Sequence, residues 1–138
     1  MIFILLPAFN EENTLPRLLE KIILFGQDEN EQVTTLVCND NSSDQTLEVI
    51  QPFRKRMCLE TINHLINRGL GETSRDLFEK AAELAKDDDV IIRMDADDTH
   101  SPEYIPSMLR KLEQGYDVVI ASRFAKGGGR RGLTCTGE

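Results

Sequence analysis

The stretch Val90–Pro102, with the sequence VIIRMDADDTHSP, decides the fold of this chain. An apolar run of strand length ends in three closely spaced aspartates, and Ser101-Pro102 then opens a helix, because proline is favoured in the first helical turn. The acids therefore sit at the carboxyl end of a strand, the edge at which open α/β sheets bind ligands. Asp95 and Asp97 are two residues apart, so their side chains share one face of an extended chain and can reach one cation. A solvated acidic turn is the simpler alternative, since short acidic motifs are weakly specific.

The chain on either side of this stretch alternates apolar runs with helical patterns. Apolar runs predict five strands, at Ile2–Leu6, Val33–Cys38, Leu59–Ile66, Val90–Met94 and Tyr116–Ser122. Helical spacing predicts four helices, within residues 15–26, 42–52, 77–85 and 105–115. The second should start at the capping-box pair Ser42 and Gln45. Short links between the elements predict an α/β fold, with a Rossmann-like, mostly parallel sheet and helices on both faces.

Composition and charge restrict the classes of function. The 138 residues are enough for one domain with a modest core, and the formal net charge is -8. An acidic surface repels nucleic acids and anionic membranes, so we expect neither as a direct ligand. The first apolar run, Met1–Leu6, is too short for a membrane span and has no basic leader. Three cysteines without zinc-like spacing indicate reduced thiols and a cytoplasmic protein.

Polar residues follow the predicted strands at what should be one edge of the sheet. They are Asn10-Glu11, Asp40, Asp95 with Asp97, and Arg123. A glycine-rich dinucleotide fingerprint is absent after the first predicted strand, and so is a Gly-Lys-Ser/Thr phosphate loop. An anionic ligand would therefore need a divalent cation or arginines to bind so acidic a chain. We interpret His64, inside the predicted third strand, as a packed or solvent-facing residue rather than a ligand.

Five motifs occur in a fixed order along the chain. They are PAFNEE at residues 7–12, NDNSSD at 39–44, NRGLG at 67–71, MDADD at 94–98 and ASRF at 121–124. In kind and order they resemble family 2 glycosyltransferases, in particular the polyprenol-phosphate sugar synthases. The resemblance covers nearly the whole chain. It implies a GT-A fold, a nucleotide-sugar donor and inversion at the anomeric carbon.

The resemblance also implies roles for individual residues. Asp40 would accept a hydrogen bond from the base, and Asp95 and Asp97 would hold Mg²⁺ or Mn²⁺, with Asp97 coordinating it directly. Asp97 and Arg123 would be the catalytic residues, and Arg123 with Arg130 or Arg131 would grip the phosphates. The residues implied to bind the nucleotide are Pro7, Ala8, Asn10, Glu11, Asn39, Asp40, Asp95 and Ala96.

The implied reaction moves a hexose from a GDP- or UDP-sugar to an acceptor, for which a polyprenyl phosphate is one candidate. A cation and arginines would stabilise the charge that develops on the departing diphosphate. A phosphate acceptor is already ionised, whereas a hydroxyl acceptor would need a general base. A non-catalytic nucleotide-binding or regulatory module remains the alternative. A phosphoacceptor receiver-type domain is disfavoured, because Arg123 stands where that chemistry wants a lysine.

Two residues depart from the family pattern. Asn41 stands where the family usually has glycine, which is tolerable because asparagine visits positive φ more readily than most residues. Thr99 replaces a glutamine that often serves as a further metal ligand, which would leave more water on the ion. His100 follows it, and a hydrogen-bonding role in the loop is favoured over metal contact.

Relatives of this kind continue well past Arg131, so we expect residues 1–138 to be the donor-binding part of a longer enzyme. That enzyme would act in the cytoplasm or at the cytoplasmic face of a membrane, without a span in this segment. Residues 124–138 should form a mobile loop rich in glycine and arginine. Alanine at Asp97 should abolish metal-dependent donor binding, and alanine at Asp40 should weaken nucleotide binding with or without metal. We expect neither change to unfold the domain.

Overall fold

The computed structural model describes residues 1–122 and residue 124, and the chain divides into two compact units at Pro102/Glu103. The first unit contains strands β1 (Ile2–Ala8), β2 (Val33–Asn39), β3 (Cys58–Asn63) and β4 (Val90–Arg93). Its helices are α1 (Leu15–Asp28), α2 (Thr46–Ile50) and α3 (Gly69–Leu84), and a 3₁₀ helix at Gln51–Lys55 follows α2. A second 3₁₀ helix, Pro102–Tyr104, begins at the boundary, and the second unit contains α4 (Ile105–Glu113).

The four strands form one parallel sheet in the order β3-β2-β1-β4. Strand β1 lies inside the sheet and is buried along its whole length, as its unbroken apolar sequence requires. Its register with β2 runs from Ile2 opposite Val33 to Ala8 opposite Asn39. The predicted parallel α/β sheet is thus confirmed.

Helices cover the sheet on both faces. The chain steps from β1 to β2 to β3 in one direction and then returns past β1 to β4. Because such crossovers are right-handed, the return helix α3 lies on the face opposite α1 and α2. Consistently, α3 packs on β1 and β2 in a core that joins Leu77 and Ala81 to Phe3 and Leu36. In the described part of the chain no helix combines the length and hydropathy that crossing a bilayer requires.

Pro7 occupies an unusual position inside the central strand β1. Proline cannot donate a backbone hydrogen bond, so it is normally confined to strand edges or ends. The carbonyl of Leu5 faces β4, where it accepts the N–H of Met94 at 3.1 Å, and the nitrogen of Pro7 faces the same side. The ladder with β4 stops at Arg93 opposite Leu5, so no hydrogen bond is lost at Pro7.

Three sequence predictions of local structure are wrong. Residues 116–122 do not form a fifth strand: Val118 and Ile120 are exposed, and no described strand pairs with them. An apolar alternation becomes a strand only where a neighbouring edge takes its backbone hydrogen bonds. The third strand ends at Asn63 rather than at Ile66. The second helix starts at Thr46 and not at Ser42. A capping box would direct the N–H of Gln45 to Ser42, but that N–H donates to Glu12 Oε2 at 2.9 Å.

Candidate active site

A cavity of about 450 Å³ opens at the carboxyl ends of β1, β2 and β4. This volume lies in the range that small-molecule ligands occupy. Strands β1 and β4 are neighbours at the point where the strand order reverses, which is where open α/β sheets bind ligands. The lining residues are Pro7, Ala8, Phe9 and Glu11 after β1, Asp40 after β2, Asn67, Gly69, Leu70 and Thr73 around the start of α3, and Asp95, Ala96 and Asp97 after β4.

The loops after β1 and β2 are fastened together beside this cavity. The N–H of Asn10 donates to Ser42 Oγ at 3.0 Å, and the N–H of Ser43 donates to Asn10 Oδ1 at 2.8 Å. The next residue continues the pattern, because Glu11 N–H donates to Thr46 Oγ1 at 2.9 Å. The side chain of Asn10 therefore joins two loops and is not among the cavity-lining groups.

Asparagines support the unusual backbone of these loops. Asn10 and Asn41 both have φ of 58°, in the left-handed region that asparagine tolerates. This confirms the reason given for Asn41 in place of glycine. Asn39 is buried, and its Oδ1 accepts the N–H of Ser42 at 3.1 Å. Nucleotide binding by Asn10 and Asn39 stays a prediction, because both side chains accept hydrogen bonds from backbone N–H groups of the loops.

Asp40 is a buried carboxylate, only 3% exposed, with three hydrogen-bond donors. Its Oδ1 lies 2.6 Å from His64 Nδ1 and accepts the N–H of Arg68 at 2.8 Å, while Oδ2 accepts the N–H of Gly69 at 2.8 Å. Burial raises the pKa of Asp40, but these donors outweigh burial and hold the pKa below its ordinary value. The expectation that Asp40 is a loop carboxylate with little part in stability is at odds with this geometry.

Asp97 is held differently, at the other side of the cavity. Its Oδ1 accepts both the N–H and the hydroxyl of Thr99, at 3.0 and 2.6 Å. Burial raises the pKa of Asp97, but the two bonds from Thr99 outweigh it and lower the pKa, so the carboxylate is ionised at neutral pH. Within the described residues nothing bonds Oδ2, which leaves that oxygen for a ligand.

Asp95 is paired inside its own loop. Arg93 Nη1 lies 2.7 Å from Asp95 Oδ1, and the N–H of Asp95 donates to His100 Nδ1 at 3.1 Å. His100 thus has the hydrogen-bonding role that the sequence favoured. The adjacent acid, Asp98, forms a salt bridge of 2.7 Å with Lys21. Of the three aspartates in the loop, Asp97 is the one with an oxygen left open beside the cavity.

Comparison with known proteins identifies the family of this fold and site. Residues 3–134, nearly the whole chain, match the family model of glycosyl transferase family 2. The chain belongs to glycosyltransferase family 2. This membership accounts for the order of the five motifs along the sequence.

Curated relatives in family 2 include two transferases that share most of this chain. The undecaprenyl-phosphate 4-deoxy-4-formamido-L-arabinose transferase of Photorhabdus laumondii is 32% identical over 120 residues, which cover 87% of this chain and 36% of the relative. The dolichol-phosphate mannosyltransferase of Pyrococcus furiosus is 31% identical over 125 residues, 91% of this chain and 34% of the relative. The chain spans about a third of the length of these relatives.

Solved structures show the same fold. A crystal structure of S. aureus TarS superposes with a TM-score of 0.67 at 18% identity, over 91% of this chain and 40% of TarS. The TarS complex with UDP-GlcNAc gives a TM-score of 0.66 at 19% identity, over 82% of this chain and 31% of that one. The likeness establishes the GT-A fold for this family 2 domain.

The donor groups of this family 2 site determine what kind of metal could bind. In the described part of the chain no three histidine, cysteine or acidic residues are placed to hold an ion by themselves. Mg²⁺ is, however, commonly bound by one or two carboxylates together with substrate phosphates and water. Asp97, with Oδ2 open, fits that second kind of site. Asp95 could join it through Oδ2, which lies 3.5 Å from His100 Nε2, while Oδ1 stays paired with Arg93.

The cavity brings together seven of the predicted site residues, which are Pro7, Ala8, Glu11, Asp40, Asp95, Ala96 and Asp97. The predicted phosphate-binding residues Arg123 and Arg131, and Arg130 with the rest of the expected mobile loop after Phe124, lie outside the described residues. Sequence reasoning missed the contribution of Phe9 and of the start of α3. Gly69, with φ of 84°, was the available signal, because a glycine that opens a helix after a strand marks a turn at the same sheet edge.

Proposed function

We propose that this chain is the nucleotide-sugar-binding part of an inverting, metal-dependent glycosyltransferase. It would accept a GDP- or UDP-hexose and deliver the sugar to a polyprenyl phosphate. Membership of family 2 supports glycosyl transfer as the reaction class. The names of the relatives support a polyprenyl phosphate acceptor, while the sugars in those names differ from one another.

One observation carries the proposal. A single cavity has apolar side chains at one side and, at the other, the carboxylate of Asp97 with one oxygen free of protein contacts among the described residues. Phe9 and Leu70 are both about half exposed in that wall and offer apolar surface to a base. Asp97 offers Oδ2 where a diphosphate would need its cation. The two sides match the two halves of a nucleoside diphosphate.

The chemistry follows from where charge develops. Cleavage of the sugar-phosphate bond builds negative charge on the departing diphosphate and positive charge on the sugar ring. A divalent cation supplies charge neutralisation when it is bound, and Asp97 would hold it. Because Thr99 fixes Asp97 Oδ1, the carboxylate is already oriented before a ligand arrives, which avoids reorganisation during the reaction. Arg123 remains a proposed phosphate ligand.

A polyprenyl phosphate acceptor also fits the side chains of the cavity. A phosphate oxygen is ionised at neutral pH and attacks without losing a proton, whereas a hydroxyl acceptor would need a general base. Glu11 and Asp95 are the other carboxylates that line the cavity, and Asp95 is paired with Arg93. Neither has to act as a base if the acceptor is a phosphate.

Calorimetric titration tests the binding step. The chain is titrated with UDP, GDP and their sugar conjugates, first with Mn²⁺ and then with EDTA. We expect one nucleotide to bind in the presence of Mn²⁺ and to lose most of its affinity in EDTA. Asp97→Asn should abolish the dependence on Mn²⁺. Asp98→Asn is the matched control, since it changes the adjacent acid, which pairs with Lys21 and does not line the cavity.

Chromatographic assay of donor cleavage tests the enzyme assignment. Release of the nucleoside diphosphate from its sugar conjugate, dependent on Mn²⁺ and lost in Asp97→Asn, supports a transferase. Binding without any cleavage, also in a longer version of the protein, would instead indicate a nucleotide-binding module. If no nucleotide binds, or if Asp97→Asn keeps the full response to Mn²⁺, the proposed site is wrong.

A further inference from the structure

His64, which follows β3, is buried between two carboxylates. Its Nδ1 lies 2.6 Å from Asp40 Oδ1, and its Nε2 lies 2.8 Å from Asp76 Oδ2 on α3. The ring is only 8% exposed. A neutral imidazole can donate from one nitrogen only, so the imidazolium is the form that donates to both carboxylates. The sequence left His64 as either a packed or a solvent-facing strand residue; the structure shows it packed, just past the end of β3, and the bridge was not foreseen.

The bridge reaches the cavity through Asp40. The carboxylate that His64 contacts also accepts the N–H groups of Arg68 and Gly69, both at 2.8 Å. The side-chain amide of Asn67 donates to the backbone carbonyl of Asp40 at 3.3 Å. Asn67 and Gly69 line the cavity. The contact between His64 and Asp40 therefore helps to fix the part of the cavity wall where α3 begins.

The charged and titratable groups around the ring come from three elements. Asp40 follows β2, and Asp76 belongs to α3, where its Oδ2 also accepts Arg68 Nη1 at 2.7 Å. Cys38, in β2, has its Sγ 3.5 Å from Nε2. Burial and the two nearby carboxylates raise the pKa of the Cys38 thiol to about 12, so it stays neutral. Two carboxylates, one arginine and a neutral thiol thus surround the ring.

We propose that His64 is a positioning residue for the nucleotide cavity. Its ring ties Asp40 to Asp76 and so holds the wall formed by residues 67–70 in place for the nucleotide. Without the ring, Asp40 loses one of its three hydrogen-bond partners and the wall loosens. This inference rests on the proposed nucleotide binding, and one arm of its test needs no ligand.

The ligand-free arm is NMR of the wild-type chain without nucleotide. The ring N–H of His64 and the amide protons of Arg68 and Gly69, which donate to Asp40, should exchange slowly with solvent. In His64→Gln the amide signals of Arg68 and Gly69 should shift, while those of helix α1 stay in place. Ring and amide protons that exchange freely in the wild-type chain would overturn the inference.

The binding arm measures the affinity for UDP and GDP with Mn²⁺ at neutral pH. His64→Gln should weaken binding about tenfold, the effect of losing one hydrogen bond to a carboxylate. His64→Asn, whose side-chain NH₂ can take the place of Nδ1 beside Asp40, should keep more of the affinity. Asp76→Asn should weaken binding in the same direction. Glu79→Gln is the control, because that acid lies on the same helix and pairs with Arg75.

The outcomes separate the two proposals. Wild-type affinity in His64→Gln contradicts the role of His64. If the wild-type chain binds no nucleotide, the proposed function fails, and the NMR measurement still decides whether His64 holds the wall. The exchange rates are measured on the wild-type chain, so they also decide the question if His64→Gln does not fold.

Discussion

Replacing Asp40 with asparagine should destabilise the domain strongly, although the residue lies in a loop. The carboxylate accepts three hydrogen bonds in a buried site, from His64 and from the N–H groups of Arg68 and Gly69. Asparagine keeps one acceptor oxygen and puts an NH₂ group where the other oxygen was. At least one donor is then left facing another donor, and the contacts that remain lose their charge.

The magnitude follows from these contacts. Hydrogen bonds to a charged group contribute roughly 1.5–3 kcal/mol, and breaking a buried ionic contact from one side costs roughly 3–5 kcal/mol. We expect a loss of about 3 kcal/mol in the free energy of unfolding, which for a chain of this size lowers Tm by about 10 °C. Urea unfolding followed by circular dichroism measures the loss directly. Asp88→Asn, at an exposed acid, is the control and should change the free energy by less than about 0.5 kcal/mol.

The effect also has a defined pH dependence. The folded-state pKa of Asp40 is lowered, so its contribution is fully present above the unfolded-state pKa of about 3.9. It is lost as the pH falls through the folded-state pKa. The difference between wild type and Asp40→Asn should therefore be largest near neutral pH and shrink below about pH 4. If the variant unfolds at the same urea concentration as wild type at pH 7, the structural role given to Asp40 is refuted.

Three further predictions concern the core and the start of α3. The hydroxyl of Thr35 is buried and has no hydrogen-bond partner among the described residues, so Thr35→Val should raise the free energy of unfolding by about 1 kcal/mol in the same urea assay. Gly69→Ala should lower the free energy of unfolding by about 1 kcal/mol, because alanine is strained at a φ of 84°. Gly71→Ala should raise it slightly, because Gly71 lies inside α3 and, as at Gly69, an added Cβ would meet no other atom within 4 Å. Iodoacetamide at about pH 8 should alkylate the exposed Cys58 and leave Cys38 intact, as read by peptide mass spectrometry, because Cys38 is buried and its pKa is raised to about 12; equal labelling would contradict its burial.

The sheet could be predicted from the sequence because a strand buried on both faces is usually a near-continuous apolar run. The run Ile2–Leu6 fits that pattern, and the structure extends the strand to Ala8. Residues 118–121 are also apolar at four successive positions, yet they form no strand in the described chain. The apolar pattern of a segment shows which side chains it can bury. A strand also needs the edge of a neighbouring strand to hydrogen-bond with, and the pattern carries no information about that neighbour.

The bridge between Asp40, His64 and Asp76 could not be predicted from spacing. It exists because β3 pairs with β2, which carries His64 to the edge position next to Asp40. Helix α3 then returns across the opposite face and places Asp76 at the second ring nitrogen. These three residues are far apart in sequence, and their meeting depends on strand order and on the hand of one crossover.

The two sides of the cavity differ in how completely their carboxylates are bonded, and this difference has a functional consequence. The carboxylate of Asp40 has all three of its partners inside the protein, so its role is to shape the cavity wall. Asp40 would raise the affinity for a ligand mainly by holding residues 67–70 in position before the ligand binds. Asp97 has one oxygen fixed by Thr99 and the other open. Substitution of Asp40 should thus weaken nucleotide binding equally with Mn²⁺ and with EDTA, while substitution of Asp97 should act on the Mn²⁺-dependent part alone. If substitutions of Asp40 and Asp97 gave the same response to metal removal, this division of roles would be wrong.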